Sequence, residues 1–283
     1  MKKILKEVFI HFLNSNTFQE GASLAYYTIF SFVPIIIIFI SLFGFFFGDQ
    51  AVSGEVYTQL KGVFGNDASI QIQEIIKNHH TNHNSITTTI IGFVILIFSA
   101  LGMFTQIHDS FNSIWNVNVK SKSSIIKYFS KYLVSLFLLI SLFFIIFIST
   151  IISSLLITYS QNLHVDYNFL YIYEHFLSFA IMSIVFTIMF KFLGDAQLHW
   201  KVTFIGGLIT SLLFIFGKVV IAWYIGYSHL SSTFGSAMFL VLLLLWIYYT
   251  SQILFLGASF VKVISSRFGY EIIADNDSVK IND

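Results

Sequence analysis

Three histidines fall within five residues, His79, His80 and His83, and imidazoles at such spacing are metal-ligand chemistry in principle. No carboxylate lies inside the cluster and its flanks are Asn and Thr, so it lacks the three or four fixed ligands, with outer support, that a metal site needs. A solvated loop is the first reading, a metal site the weaker one. A second set, His108, Asp109 and Asn112, follows an apolar run and would line an inner vestibule or simply form a solvated helix end. Lys218 and Glu174 lie inside apolar stretches, where a charge is costly and tends to face a bundle interior or water. They are read either as interface anchors, with Lys218 snorkelling, or as a pair lining an outward cavity. The string Ser231, Ser232, Thr233, Phe234, Gly235 offers hydroxyls and backbone amides at the head of a long apolar helix. Such a string caps a helix without any ligand, and the positive dipole end there is also suited to an anion.

The elements that would hold these groups are long and apolar. Hydrophobic residues make up 56% of the 283-residue chain and charged residues 10%, against about 25% charged in soluble domains. Water is therefore not its main solvent. Two runs, 202–224 and 236–261, joined by an uncharged turn, are each long enough to cross about 30 Å of hydrocarbon. Four more are expected at about 24–47, 86–106, 132–158 and 171–190. The expected fold is all-α, a polytopic membrane protein of six transmembrane helices. An N-terminal amphipathic helix over Met1 to Glu20, with Ile4, Leu5, Val8, Phe9 and Phe12 on one side, would lie in the headgroup plane. Residues 1–265 read as one integral membrane domain and 266–283 as a short, frayed cytoplasmic tail.

Pro34, the only proline, falls near the middle of the first span and removes a backbone donor, so that helix should kink, as a packing bend or as a flex point. Gly206, Gly207 and Ser211 read as small-residue surfaces for close helix contact. Twelve of the fifteen Lys and Arg residues fall on the side that holds both termini, two (Lys61 and Lys77) on the other, and Lys218 within a span. By the positive-inside tendency both termini are cytoplasmic, in a multi-pass membrane protein of bacterial type.

Net charge is only +1, so no basic face argues for nucleic acid, and with no cysteine there is no thiolate nucleophile, disulfide or thiolate-held metal. No G-x-x-x-x-G-K-[ST] phosphate loop occurs. The chain is expected to use no cofactor and not to be an enzyme. Its expected partners are membrane lipids and a small-molecule substrate of unknown identity, with a homo-oligomer left open.

Ala22 to Pro34 (ASLAYYTIFSFVP), the sequence Phe111, Asn112, Ser113, Ile114, Trp115, and Phe234 to Val261 together resemble the YihY/virulence factor BrkB family, once labelled ribonuclease BN. The resemblance covers nearly the whole chain and rests on the order and spacing of these segments. It implies an inner-membrane protein of transporter type and supplies no substrate. Where the family commonly carries a glutamate after Leu256-Gly257-Ala258, this chain has Ser259, which leaves a polar but uncharged group in the expected lining. A transporter or exporter of a small or amphiphilic solute, not driven by its own ATP hydrolysis, is the leading functional expectation. A non-transporting envelope scaffold that binds lipid or partner proteins is the alternative.

Overall fold

The computed structural model describes residues 2–30, 86–119, 167–227, 238–275 and 278–280, with isolated positions between 32 and 73. Expectations for Pro34, for the third span at 132–158, for His79, His80 and His83, and for the Ser231, Ser232, Thr233 and Gly235 turn lie outside the described residues. So do the side chains of 86–100 and 167–175, Glu174 among them.

Helix α1 spans Lys2–Asn14. It stops earlier than expected, because Asn14-Ser15-Asn16-Thr17 is a cluster of turn formers. Asn16 takes a left-handed φ of 52°, a conformation that Asn tolerates better than most residues. The Ser15 hydroxyl donates to the His11 carbonyl at 2.8 Å and the Thr17 hydroxyl to the Phe12 carbonyl at 2.8 Å, so side chains satisfy the freed helix end. A second helix, α2, starts at once and covers 17–30. The single apolar side read from sequence is divided in the fold. Val8 and Phe12 are buried, while Leu5 and Phe9 are each 57% exposed.

Helix α3 is Ile86–Trp115, continuing beyond the expected span end at Gln106, and a left-handed Asn116 (φ 57°) turns it into β1, Val117–Val119. Next come α4 (Tyr167–Phe192), β2 (Ala196–Gln197), α5 (Trp200–Tyr227) and α6 (Met238–Arg267). Within α5 and α6, Trp200–Ile221 and Leu240–Arg267 are long and apolar enough to cross a bilayer, and Phe176–Phe192 is a shorter apolar helix. Apart from Lys201 and Lys218, the exposed positions along α5 are mostly apolar, Phe204, Leu212, Phe216, Val219 and Trp223 among them, a surface that lipid satisfies and water does not.

The described residues of the tail are paired rather than frayed. Helix α6 ends with Gly269 at φ 70°, and the Tyr270 and Gly269 amides donate back to the Ser265 and Ser266 carbonyls at 3.0 and 3.4 Å, the double bond of a Schellman stop. Strand β3 (Ile273–Ala274) then pairs antiparallel with β2, Ala196 opposite Ala274, and β4 (Ser278–Lys280) with β1, Val117 opposite Lys280. Both pairings join segments far apart in sequence, and the Ile272 side chain is buried beside them in the chain.

The chain divides into two compact units. The first comprises Met1–Phe18, Phe104–Ile215 and Gln252–Asp283. Its core holds Phe104, Phe111, Ile114, Trp115, Phe190, Leu193, Phe255 and Val261. Glycines set the approach of its helices: Gly206 lies against Val261 and Phe190, Gly207 against Thr187 and the Ser183 carbonyl, and Gly257 against Thr210 and Phe190. That is the small-residue packing expected of Gly206 and Gly207. Helix α1 joins this unit through Val8 and Phe12, through a forked Arg267 to Glu7 pair at 2.8 and 3.0 Å, and through Gln252 donating to the Thr17 carbonyl at 3.2 Å. The second unit comprises Gln19–Met103 and Phe216–Ser251. In it the Tyr27 ring fills the space beside Gly102, Tyr249 that beside Gly217, and Ser251 donates to the Gly21 carbonyl at 3.5 Å.

Candidate functional site

The polar residues that converge most tightly are on the last turns of α3 and the bend after α4, within the first unit. Helical spacing of four puts His108 and Asn112 on one face of α3. Gly194 leaves room for the Trp115 ring and the Asn112 side chain, and the chain then presents Asp195 to that face. Asn112 holds Asp195 twice: its amide donates to Asp195 Oδ2 at 3.0 Å, and its carbonyl oxygen accepts the Asp195 backbone N–H at 2.8 Å. His108 Nε2 is 3.3 Å from Asp195 Oδ1, and His108 Nδ1 is 3.3 Å from Asp109 Oδ1. The tail completes the frame, the Asp275 amide donating to the Asp195 carbonyl at 2.9 Å and Gln197 to the Asp275 carboxylate at 3.3 Å.

Around the cluster the floor is aromatic and fixed. Trp115 is fully buried, donates its indole N–H to the Ala258 carbonyl at 3.2 Å, stacks near Phe111 with ring centres 4.9 Å apart, and has its carbonyl capped by Lys262 at 3.1 Å. Lys191, at the end of α4, donates to the Leu198 carbonyl and sits 5.5 Å from the centre of the Trp200 ring.

His108, Asp109 and Asn112 are thus brought together, but not as the solvated helix end or open vestibule that the sequence suggests. His108 and Asn112 are buried, and only Asp109 reaches solvent. The reason is Asp195, which no motif in the sequence singles out. The one signal for it was an acid set in the short Gly194-Asp195 break between two apolar helices.

The imidazole of His108, two residues beyond the expected span, is held above its ordinary pKa. Burial, the largest single influence, would lower it, and the hydrogen bonds and charges of Asp109 and Asp195 together more than offset that. Stability from this ionised set is therefore fully present below about pH 6.5, the ordinary imidazole value, and is lost as pH rises through the elevated folded-state value. The melting temperature in detergent is expected to decline as pH is raised from 6 to 9, and the decline to flatten in His108→Gln. Equal slopes in the two proteins would contradict it.

Other sequence-derived candidates are placed as follows. Lys218 is exposed in the second unit, between exposed Phe216 and Val219, which fits an anchor in the headgroup region. Ser259 is fully buried in α6 of the first unit and its hydroxyl has no hydrogen-bond partner. Several further hydroxyls are buried in that unit: Ser183 and Ser211 bond each other at 2.7 Å, and Thr187, Thr203 and Thr210 turn back onto carbonyls of their own helices. Among the described residues no group of three or more His, Cys, Asp or Glu is arranged to hold a metal.

The chain is similar to membrane proteins over most of its length. A UPF0761 membrane protein of Saccharophagus degradans is 24% identical over 92% of this chain, which spans 58% of that relative's length. UPF0761 membrane proteins of Haemophilus influenzae and Mannheimia succiniciproducens are 25% and 23% identical, over 87% and 93% of this chain and 89% and 90% of their own. No solved structure matches. The family model described as Virulence factor BrkB matches residues 8–282, so the charged cluster, the glycine-packed helices and the paired tail all fall inside the matched region, and the chain belongs to that family of membrane proteins.

Proposed function

We propose that this protein moves a small or amphiphilic solute across the bacterial inner membrane, through six spanning helices with both termini in the cytoplasm, and without an enzymatic reaction or ATP hydrolysis of its own. The observation that supports this most is the polar content of the first unit's interior. In a bundle otherwise lined by Phe, Leu and Ile, it buries an Asp–His–Asn cluster, several hydroxyls with partners, and the Ser259 hydroxyl with none. Polar groups buried in such an interior are costly, and where they persist they commonly mark a path for a polar or charged species. A scaffold that only bound lipid on its outer face would have no use for them.

The test uses the absence of cysteine. Single cysteines at Thr210, Ser211 and Ser259 should react with a membrane-impermeant thiol reagent in the reconstituted protein, and vesicles should take up members of a solute panel. Inert cysteines and no uptake would favour the scaffold. Lys218→Met separates lining from anchoring: flux unchanged by it would remove Lys218 from the path, and flux lost in a folded variant would place it there.

A further inference from the structure

Each ring nitrogen of His108 faces a carboxylate, Asp109 Oδ1 from Nδ1 and Asp195 Oδ1 from Nε2, both at 3.3 Å. A neutral imidazole has one N–H and an imidazolium two, so both contacts are hydrogen bonds only when the ring is protonated. The neutral ring also has a partner ready. Asn112 Nδ2 lies 3.4 Å from the same Nδ1, and of its two hydrogens only one is used on Asp195 Oδ2. We propose that His108 is a proton-binding site, loaded from water by way of Asp109, whose two states exchange Asp109 for Asn112 as the partner of Nδ1 while Asp195 stays fixed on Nε2.

The step moves one proton and nothing else. It passes from water to the Asp109 carboxylate, whose side chain is 55% exposed, and on to Nδ1 of a ring that is 5% exposed. Loading takes the three groups from two negative charges to one, and unloading returns the proton to water along the same route. Asp195, with a side chain 1% exposed, is the permanent counter-charge. Among the described residues, the charges in contact with the ring are Asp109 from its own helix and Asp195 from the bend after α4. Other charged groups of the same unit have engagements of their own: Lys191 of α4 at the Leu198 carbonyl, Lys262 of α6 at the Trp115 carbonyl, and Asp275 of the tail at Gln197. Asn112 is the element both states share, so a change of protonation is felt directly at the clamp that holds the α4 bend to α3. The inference rests on the transport reading only for what the proton would drive, not for its binding.

Histidine-selective isotope labelling in lipid nanodiscs tests it, with ring-nitrogen shifts followed from pH 5 to 9. His108 is one of nine histidines, and its signal is assigned by its loss in His108→Gln or by through-space transfer to the Phe104 ring, whose centre is 6.1 Å away. The ring is expected to pass from doubly protonated to singly protonated with a midpoint above that of a free histidine. Asp109→Asn, at an exposed side chain, is expected to shift the midpoint down, because it removes the partner of the loaded state only. A ring that stays neutral throughout, or a midpoint identical in Asp109→Asn, overturns the proposal. Titration without solute flux would leave the proton site standing and remove the transport reading, and flux without titration would do the reverse.

Discussion

Replacing Asn112 with alanine is expected to destabilise the folded protein by about 3–5 kcal/mol, the range for stripping a partner from a buried charge. One short side chain closes two bonds to Asp195, to its amide at 2.8 Å and its carboxylate at 3.0 Å, and both groups are shut away from water. Alanine leaves an orphaned donor and an under-solvated anion in the same place, and the asymmetry between a bond never made and a bond half removed determines the size of the loss. The same asymmetry gives an internal control. Asn112→Ala combined with Asp195→Ala removes the stranded carboxylate, so the double variant should lose less than the sum of the two single ones. Denaturant titration in mixed micelles reads all three. A loss below about 1 kcal/mol for Asn112→Ala, the range of an ordinary exposed polar substitution, would show that the clamp contributes nothing special.

Among the described helices, α4, α5 and α6 were legible in the sequence, and the reason is physical. A span needs about 20 apolar residues in a row, a signal carried by each segment alone, so α4, α5 and α6 fall within a few residues of the expected limits. What depends on one segment meeting another was not legible. The pairing of β1 with β4 and of β2 with β3 uses strands of two or three residues, too short for any alternation to register, and joins residues such as Val117 and Lys280 across most of the chain. Asp195 was hidden for the same reason. His108 and Asn112 could be set on one helix face by counting, but their common partner arrives from another segment, and only the fold shows that it does. The early stop of α1 is a different matter: Asn14-Ser15-Asn16-Thr17 announces a turn, and it was overlooked because apolar residues continue on either side.

Gly207→Ala is expected to be the most damaging single methyl group that can be added to the described helices, at about 1–3 kcal/mol or more. The new carbon would meet the Thr187 hydroxyl, the Ser183 carbonyl and the Thr187 amide nitrogen, and two of those three are backbone. Backbone in the middle of α4 cannot swing aside. The helices must separate instead, and the Ser183 to Ser211 bond at 2.7 Å that bridges them goes with the contact. Gly217→Ala makes a closer approach still, but only to the outer end of the Tyr249 side chain, which can rotate away, so its loss should be smaller. Gly54→Ala meets nothing and gains helix propensity, so it should be neutral or mildly stabilising. The order of the three melting temperatures, Gly207→Ala lowest, then Gly217→Ala, then Gly54→Ala, therefore separates backbone contact from side-chain contact. If Gly207→Ala melts with the wild type, α4 and α5 do not touch at this glycine, and the interior of hydroxyls argued from that contact does not exist in the form described.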